Sequence, residues 1–163
     1  MATPTYDLLE STKLASSTSS FTFSSINQTY GDLVVVFEAY GVGGNVNFNI
    51  RLNGDSGNNY NFVDASSLSG NYSGNTNDIS QYGLISNAGS DINEALPVSV
   101  DLIDYTSTSK HKTCLIRDGR YSSYTDMVAL RYASTSAITS ITIYTGSNSY
   151  GVGSFFKLYG IAK

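Results

Sequence analysis

In NVNFNIRL, residues 45–52, apolar and polar side chains alternate without a break. Val46, Phe48, Ile50 and Leu52 fall on one side, and Asn45, Asn47, Asn49 and Arg51 on the other. Successive side chains of an extended chain point to opposite faces, so a period of two describes a strand with one buried and one wet face. The same period recurs along almost the whole chain. FTFSSI (21–26) sets Phe21 and Phe23 on one face, and PVSVDLIDY (97–105) does the same for Val98, Val100 and Leu102. Pro97 stands at the strand entrance, where its missing N–H is tolerated. YNFV (60–63), KTCLIRD (112–118), MVALRY (127–132), AITSITIYT (137–145) and SFFKLYGI (154–161) read as further strands. LVVVFEAY (33–40) opens with five consecutive apolar residues, as in a strand covered on both faces. No stretch sustains the i, i+3, i+4 spacing of a helix, and YDLLESTKLA (6–15) is expected to make a single turn.

Gly- and Asn-rich runs separate these strands. GVGG (41–44) and NGDSGNN (53–59) are expected as hairpin turns, because Gly and Asn accept positive φ. DGR (118–120) and TGSNSYGVG (145–153) are expected to close the later pairs. Strands at roughly 8–12-residue spacing with polar turns define a sandwich or barrel. The expected fold is all-β: a single antiparallel β-sandwich domain over residues 1–163, jelly-roll-like, with long polar loops. Its expected core is Phe21, Phe23, Leu33, Val35, Phe48, Ile50, Leu52, Val100, Ile141, Ile143, Phe156 and Leu158. Residues 64–91 are the least strand-like and are expected as a long loop excursion, with one short strand at YGLI (82–85).

Composition narrows the function classes. A chain of 163 residues buries about 68–70% of its unfolded surface, enough to fold without a disulfide or metal. Charged residues make up 13%, against about 25% in an ordinary domain, and Tyr, Ser, Thr and Asn stand in their place. The net charge is −4 and the Lys and Arg residues are scattered, which argues against a nucleic-acid partner. No run of about 18 apolar residues is present, so no membrane-spanning helix is expected. The opening MATPTYDLLESTKL has neither a basic nor an apolar signal region, so it is not expected to be a signal peptide. Cys114 stands alone, which suits a reducing cytosol. NQT (27–29) and NYS (71–73) match the glycosylation pattern and carry no weight without a secretory signal.

Few residues offer chemistry. RLNGDSGNNYNF (51–62) is either a site, for calcium or a sugar, or a bend between two strands; Asp55 is its sole charged ligand candidate among Asn53, Asn58 and Asn59, and no bidentate Glu follows. A bend between strands is the favoured reading. His111 is the one histidine and no G-x-S-x-G elbow accompanies it, so SKHK reads as a polar turn. Cys114 lies in an apolar strand and reads as a small core residue. Asp101 and Asp104 are three apart, which in a strand places them on opposite faces. No catalytic residue, metal ligand or cofactor is therefore expected. Tyr72, Tyr82, Tyr121, Tyr124 and Tyr150 lie in or beside turns. They either pack the loops or form a contact surface, and they are the candidate partner-binding residues.

Several segments together resemble one family, the small β-sandwich virion proteins of tailed bacteriophages. They are SSFTFSSINQTYGDLVVVFEAYG (19–41), FNIRLNGDSGNNYNF (48–62), IDYTSTSKHKT (103–113), STSAITSITIYTGS (134–147) and GSFFKLYGIAK (153–163). They follow the family's order and end in its aromatic-plus-LYGI strand. The chain departs from the pattern at LRYASTSAI, where an aromatic, often Trp, precedes the STAAITSI segment; Tyr132 takes that place. The resemblance implies an external structural role on the virion: capsid decoration or a tail or head appendage, without catalysis. It implies synthesis in the host cytoplasm, other virion proteins as partners, and a homo-oligomer with a trimer favoured. An appendage part that binds a host-surface glycan is the alternative. Residues 64–91 match nothing in the family and are where partner specificity is expected.

Overall fold

The computed structural model describes residues 5–66, 72–79, 82–88, 95–119 and 125–163. Every regular element among them is a strand. Numbered along the chain, the strands are β1 (Tyr6–Lys13), β2 (Ser20–Phe23), β3 (Asp32–Ala39), β4 (Gly41–Val42), β5 (Val46–Leu52), β6 (Tyr60–Ser66) and β7 (Tyr72–Ile79). They continue as β8 (Tyr82–Ala88), β9 (Leu96–Ile103), β10 (Lys112–Gly119), β11 (Thr125–Tyr132), β12 (Ile141–Tyr144), β13 (Ser149–Tyr150) and β14 (Phe155–Ile161). A large sheet runs β1-β14-β3-β9-β10-β11-β6-β7, a small one β2-β12-β5-β8, and β13 and β4 form a two-stranded ribbon. Neighbouring strands are antiparallel throughout. The fold is an antiparallel β-sandwich.

The two sheets meet through aromatic rings. Phe37 of β3 stands edge-on to Phe48 of β5 at 5.0 Å, and Phe21 of β2 stacks on Phe156 of β14 at 4.7 Å. All of the expected core residues are buried except Phe21, which is partly buried. Phe21 sits on β2, an edge strand of the small sheet, so one flank of its ring lacks a strand neighbour. The continuous apolar run of β3 has a different origin from the expected one. Leu33, Val35, Phe37 and Ala39 face the small sheet. Val34 faces away from it, yet is 7% exposed, because its row is filled by Tyr159 on one side and Asp101 on the other.

Three expectations are corrected. YDLLESTKLA does not turn: it supplies β1, the edge strand paired with β14. A register shift between Leu8 and Glu10 marks a β-bulge, which sends Leu8 outward and packs Leu9 on the core. GVGG and NGDSGNN are not hairpins. Each carries the chain from one sheet to the other, β3 to β5 and β5 to β6, and residues 145–148 and 151–154 with β13 make a third crossing. Residues 64–91 are not one loop: β7 extends the large sheet beyond β6, and β8 covers the whole of YGLI and flanks β5. The sequence YSGNTNDI of β7 lacks apolar alternation because an edge strand can be recruited by ladder hydrogen bonds alone. DGR falls partly outside the described residues, but β10 and β11 on either side do pair as a hairpin.

Two glycines are required by close approach. A Cβ on Gly160 would lie 2.5 Å from the Tyr30 ring, and one on Gly151 would lie 2.1 Å from the Tyr40 ring. The glycine of the terminal LYGI strand is thus the seat of a tyrosine that caps the sheet.

Candidate contact surface

The polar bend at 53–59 is built as scaffold. Asn53 and Gly54 both have positive φ, 53° and 67°, and the Asp55 N–H donates to the Leu52 carbonyl at 3.0 Å. This is the two-residue turn that Asn-Gly favours. The Asn53 side chain then ties the turn to the chain before β12: its Oδ1 accepts from the Thr139 N–H at 2.8 Å and its Nδ2 donates to the Ala137 carbonyl at 2.8 Å. Asp55 Oδ1 accepts from the Gly57 N–H at 2.7 Å. Its Oδ2 accepts from Asn59 Nδ2 and from the Tyr132 hydroxyl, each at 2.8 Å. These donors, the Gly57 N–H first, hold the Asp55 carboxyl below the usual carboxylate range. The Tyr60 hydroxyl donates to the Asp55 carbonyl at 3.0 Å, and the Tyr60 ring stacks on Tyr132 at 5.0 Å. Tyr132 thus serves as the roof of this bend, and burial together with Asp55 pushes its phenol up to about 12.

The reactive residue types are placed apart. His111 is exposed, and its Nδ1 accepts from Arg131 Nη2 at 2.9 Å and from Nε at 3.2 Å. A catalytic triad needs that nitrogen to donate to a carboxylate, and here it faces a cation. Cys114 is fully buried and burial pushes its thiol up to about 12, which removes the thiolate that chemistry would need. Asp101 pairs with Arg117 at 2.5 Å, while Asp104 pairs with Lys110 at 3.1 Å in the turn after β9. Among the described residues no three or more His, Cys, Asp or Glu side chains form a group that could hold a metal ion.

Of the five candidate tyrosines, Tyr121 and Tyr124 lie outside the described residues. Tyr72 and Tyr82 lie in β7 and β8, at register positions opposite Ala65 and Ile50. Tyr150 is fully buried, with ring neighbours Phe48 and Phe156 both at 5.7 Å. It belongs to the core and offers no surface to a partner. TGSNSYGVG reads as a polar turn, and the contact of β13 with β4 that carries Tyr150 inward is a long-range pairing invisible in that string.

Among the described residues, a surface with unmet apolar character lies elsewhere, on the large sheet's outer face. Register connects one row across it: Leu8, Tyr159, Val34, Asp101, Leu115, Ala129 and Val63. Six of these seven positions are apolar or aromatic, and the seventh, Asp101, is neutralised by Arg117 of the next row. Among the described residues, Tyr6, Leu8, Val63, Ile103 and Met127 are the exposed large hydrophobic ones on this sheet, and all five point outward here. A groove of about 360 Å³ crosses β10, β11 and β6 beside Val63, Ala129 and Arg131. The Arg131 guanidinium donates to Asn61 Oδ1 at 2.6 Å and to His111 Nδ1 at 2.9 Å. Polar groups on this face thus bond to one another within the sheet. A sandwich normally wets the outer face of each sheet with polar residues, so an apolar outer row is a contact signature. Sequence reading missed it because the outward parity of each strand mixes polar and apolar residues, and the row exists only across strands. No protein-family model matches the chain, and no curated protein matches it.

Proposed function

We propose that this protein is a structural component of a bacteriophage particle, carried on its exterior and working through protein–protein contact, in the first place as a capsid decoration. The observation that carries the contact reading is the apolar row on the outer face of the large sheet, with Leu8, Val63, Ile103 and Met127 exposed. Buried against a partner, apolar area contributes about 25 cal/mol per Å². A symmetric particle multiplies such a contact across many copies, so each copy needs little affinity of its own. The virion assignment rests on the ordered segments from SSFTFSSINQTYGDLVVVFEAYG to GSFFKLYGIAK. Low charge and abundant Tyr, Ser, Thr and Asn support a shape-matched partner over an electrostatic one.

Mass spectrometry of purified phage particles tests this reading. The chain is expected in the particle, and its copy number tells its place: hundreds of copies for decoration, a few dozen or fewer for a tail or head appendage. Absence from the particle overturns the proposal.

A further inference from the structure

Along β11 the inward positions are Asp126, Val128, Leu130 and Tyr132, and all four are buried. Asp126 thus occupies an apolar parity. Along β6 the same holds for Asp64, which shares the inward side with Tyr60. Register sets Asp64 opposite Val128 and Asp126 opposite Ser66, so the two carboxyls are diagonal neighbours on the core-facing side at one end of the sandwich. Asp64 is 2% exposed and Asp126 is 4% exposed. Neither carboxylate oxygen of Asp126, nor Oδ1 of Asp64, receives a hydrogen bond from the protein. Burial first, and the Asp126 charge second, push the Asp64 carboxyl upward.

Among the described residues of β6, β10 and β11 no side-chain cation answers them: Lys112 shares the inward parity of β10 but stands at its far end, opposite Tyr132, with its Nζ on the carbonyls of Ser107, Lys110 and Thr135. Arg117 and Arg131 belong to the outward positions of β10 and β11, where Arg117 pairs with Asp101 and Arg131 bonds His111 and Asn61. The position of β10 directly opposite Asp126 is Asp118, a further acid. Three buried carboxylate oxygens without donors, set side by side, call for a shared proton or a compensating positive charge. Hard divalent cations supply such a charge: magnesium is commonly held by one or two carboxylates and keeps several waters, and calcium gathers about six to eight oxygens, waters among them.

We propose that Asp64 and Asp126 bind a divalent, oxygen-seeking cation, calcium or magnesium, which clips β6 to β11. The site consists of two carboxylates and is separate from the Asp55 bend, whose oxygens are already engaged.

The test is calorimetric titration of the EDTA-treated, desalted full chain with calcium chloride and, separately, magnesium chloride, beside thermal melts at rising concentrations of each. Binding near one ion per chain and a concentration-dependent rise in Tm are expected for at least one of the two. Asp126→Asn and Asp64→Asn each remove a ligand and are expected to weaken binding at least about tenfold, the lower end of what losing even an outer-shell partner costs. Should one variant fail to fold, the other and the titration of the native chain still decide. No heat and no Tm change with either ion in the native chain overturns the proposal, as does unchanged affinity in a folded variant. A rise in Tm for Asp126→Asn with no ion dependence also overturns it, and shows that the pair shares a proton instead.

Discussion

Asp55 carries a stability signature that can be read by pH. Its folded pKa lies below the unfolded one, because the Gly57 N–H, the Tyr132 hydroxyl and Asn59 bond the ionised form. The stabilisation is therefore complete above the unfolded carboxylate value, about 3.9, and is lost as pH falls through the lower folded value. Thermal melts are expected to show Tm falling with acid in that window, and Asp55→Asn is expected to flatten the fall. Asp64 has the opposite sign. Its folded pKa is raised, so its contribution is present below the unfolded value and lost as pH climbs through the folded one. A second residue-scale feature is Lys112, whose buried Nζ donates to the carbonyls of Ser107 at 2.7 Å, Lys110 at 2.9 Å and Thr135 at 3.3 Å. Burial lowers its pKa, yet the three carbonyls depend on it. Lys112→Met keeps the stem and deletes the donors. With orphaned buried acceptors costing about 1–3 kcal/mol each, denaturant unfolding is expected to show a loss of at least about 2 kcal/mol.

At the scale of elements, β14 reverses a common rule. Glycine inside a strand is ordinarily a weakness that alanine mends by roughly 0.5–1 kcal/mol. Gly160 is different, since a Cβ there would meet the Tyr30 ring at 2.5 Å. Gly160→Ala is expected to destabilise by about 1–3 kcal/mol, the usual cost of overpacking. Pairing it with Tyr30→Ala in a double-mutant cycle is expected to recover part of that loss, and strict additivity would break the link. The core face of β5 is tested more simply. Phe48 is fully buried against Phe37 and Tyr150, so Phe48→Ala is expected to cost about 3–5 kcal/mol by chemical denaturation.

At the scale of the molecule, the two sheets are unequal, eight strands against four among the described residues, and a broad outer face of the large sheet is left apolar in its middle row. Val63→Lys and Met127→Lys act on that face alone, because both side chains are more than half exposed. Each is expected to change folding stability by no more than about 0.5 kcal/mol. Both are expected to reduce self-association in sedimentation experiments, or occupancy on purified particles. Unchanged assembly in both measurements would move the contact to another surface.

Strand positions were legible wherever a strand buries one face, since the period of two is a property of local geometry. Val46, Phe48, Ile50 and Leu52 all went inward as their alternation required. The same holds for the Asn53–Gly54 turn, whose left-handed φ values follow from residue type. Where that turn leads was decided by tertiary structure. A two-residue turn sets local direction, and Asn53 bonding to Thr139 and Ala137, with Tyr60 stacking on Tyr132, delivers β6 to the opposite sheet. The edge strands β1 and β7 were misread because ladder hydrogen bonds, not side-chain pattern, recruit them. The inward Asp64 and Asp126 left a trace in the string, two acids on apolar parity in VDA and TDMVALRY. Their pairing did not, because Asp64 and Asp126 are sixty-two positions apart and only the β6–β11 register makes them neighbours. The outer apolar row is of the same kind. Alternation along one strand is local and can be read from the chain; adjacency across strands is a product of the sheet order, and tertiary structure alone supplies it.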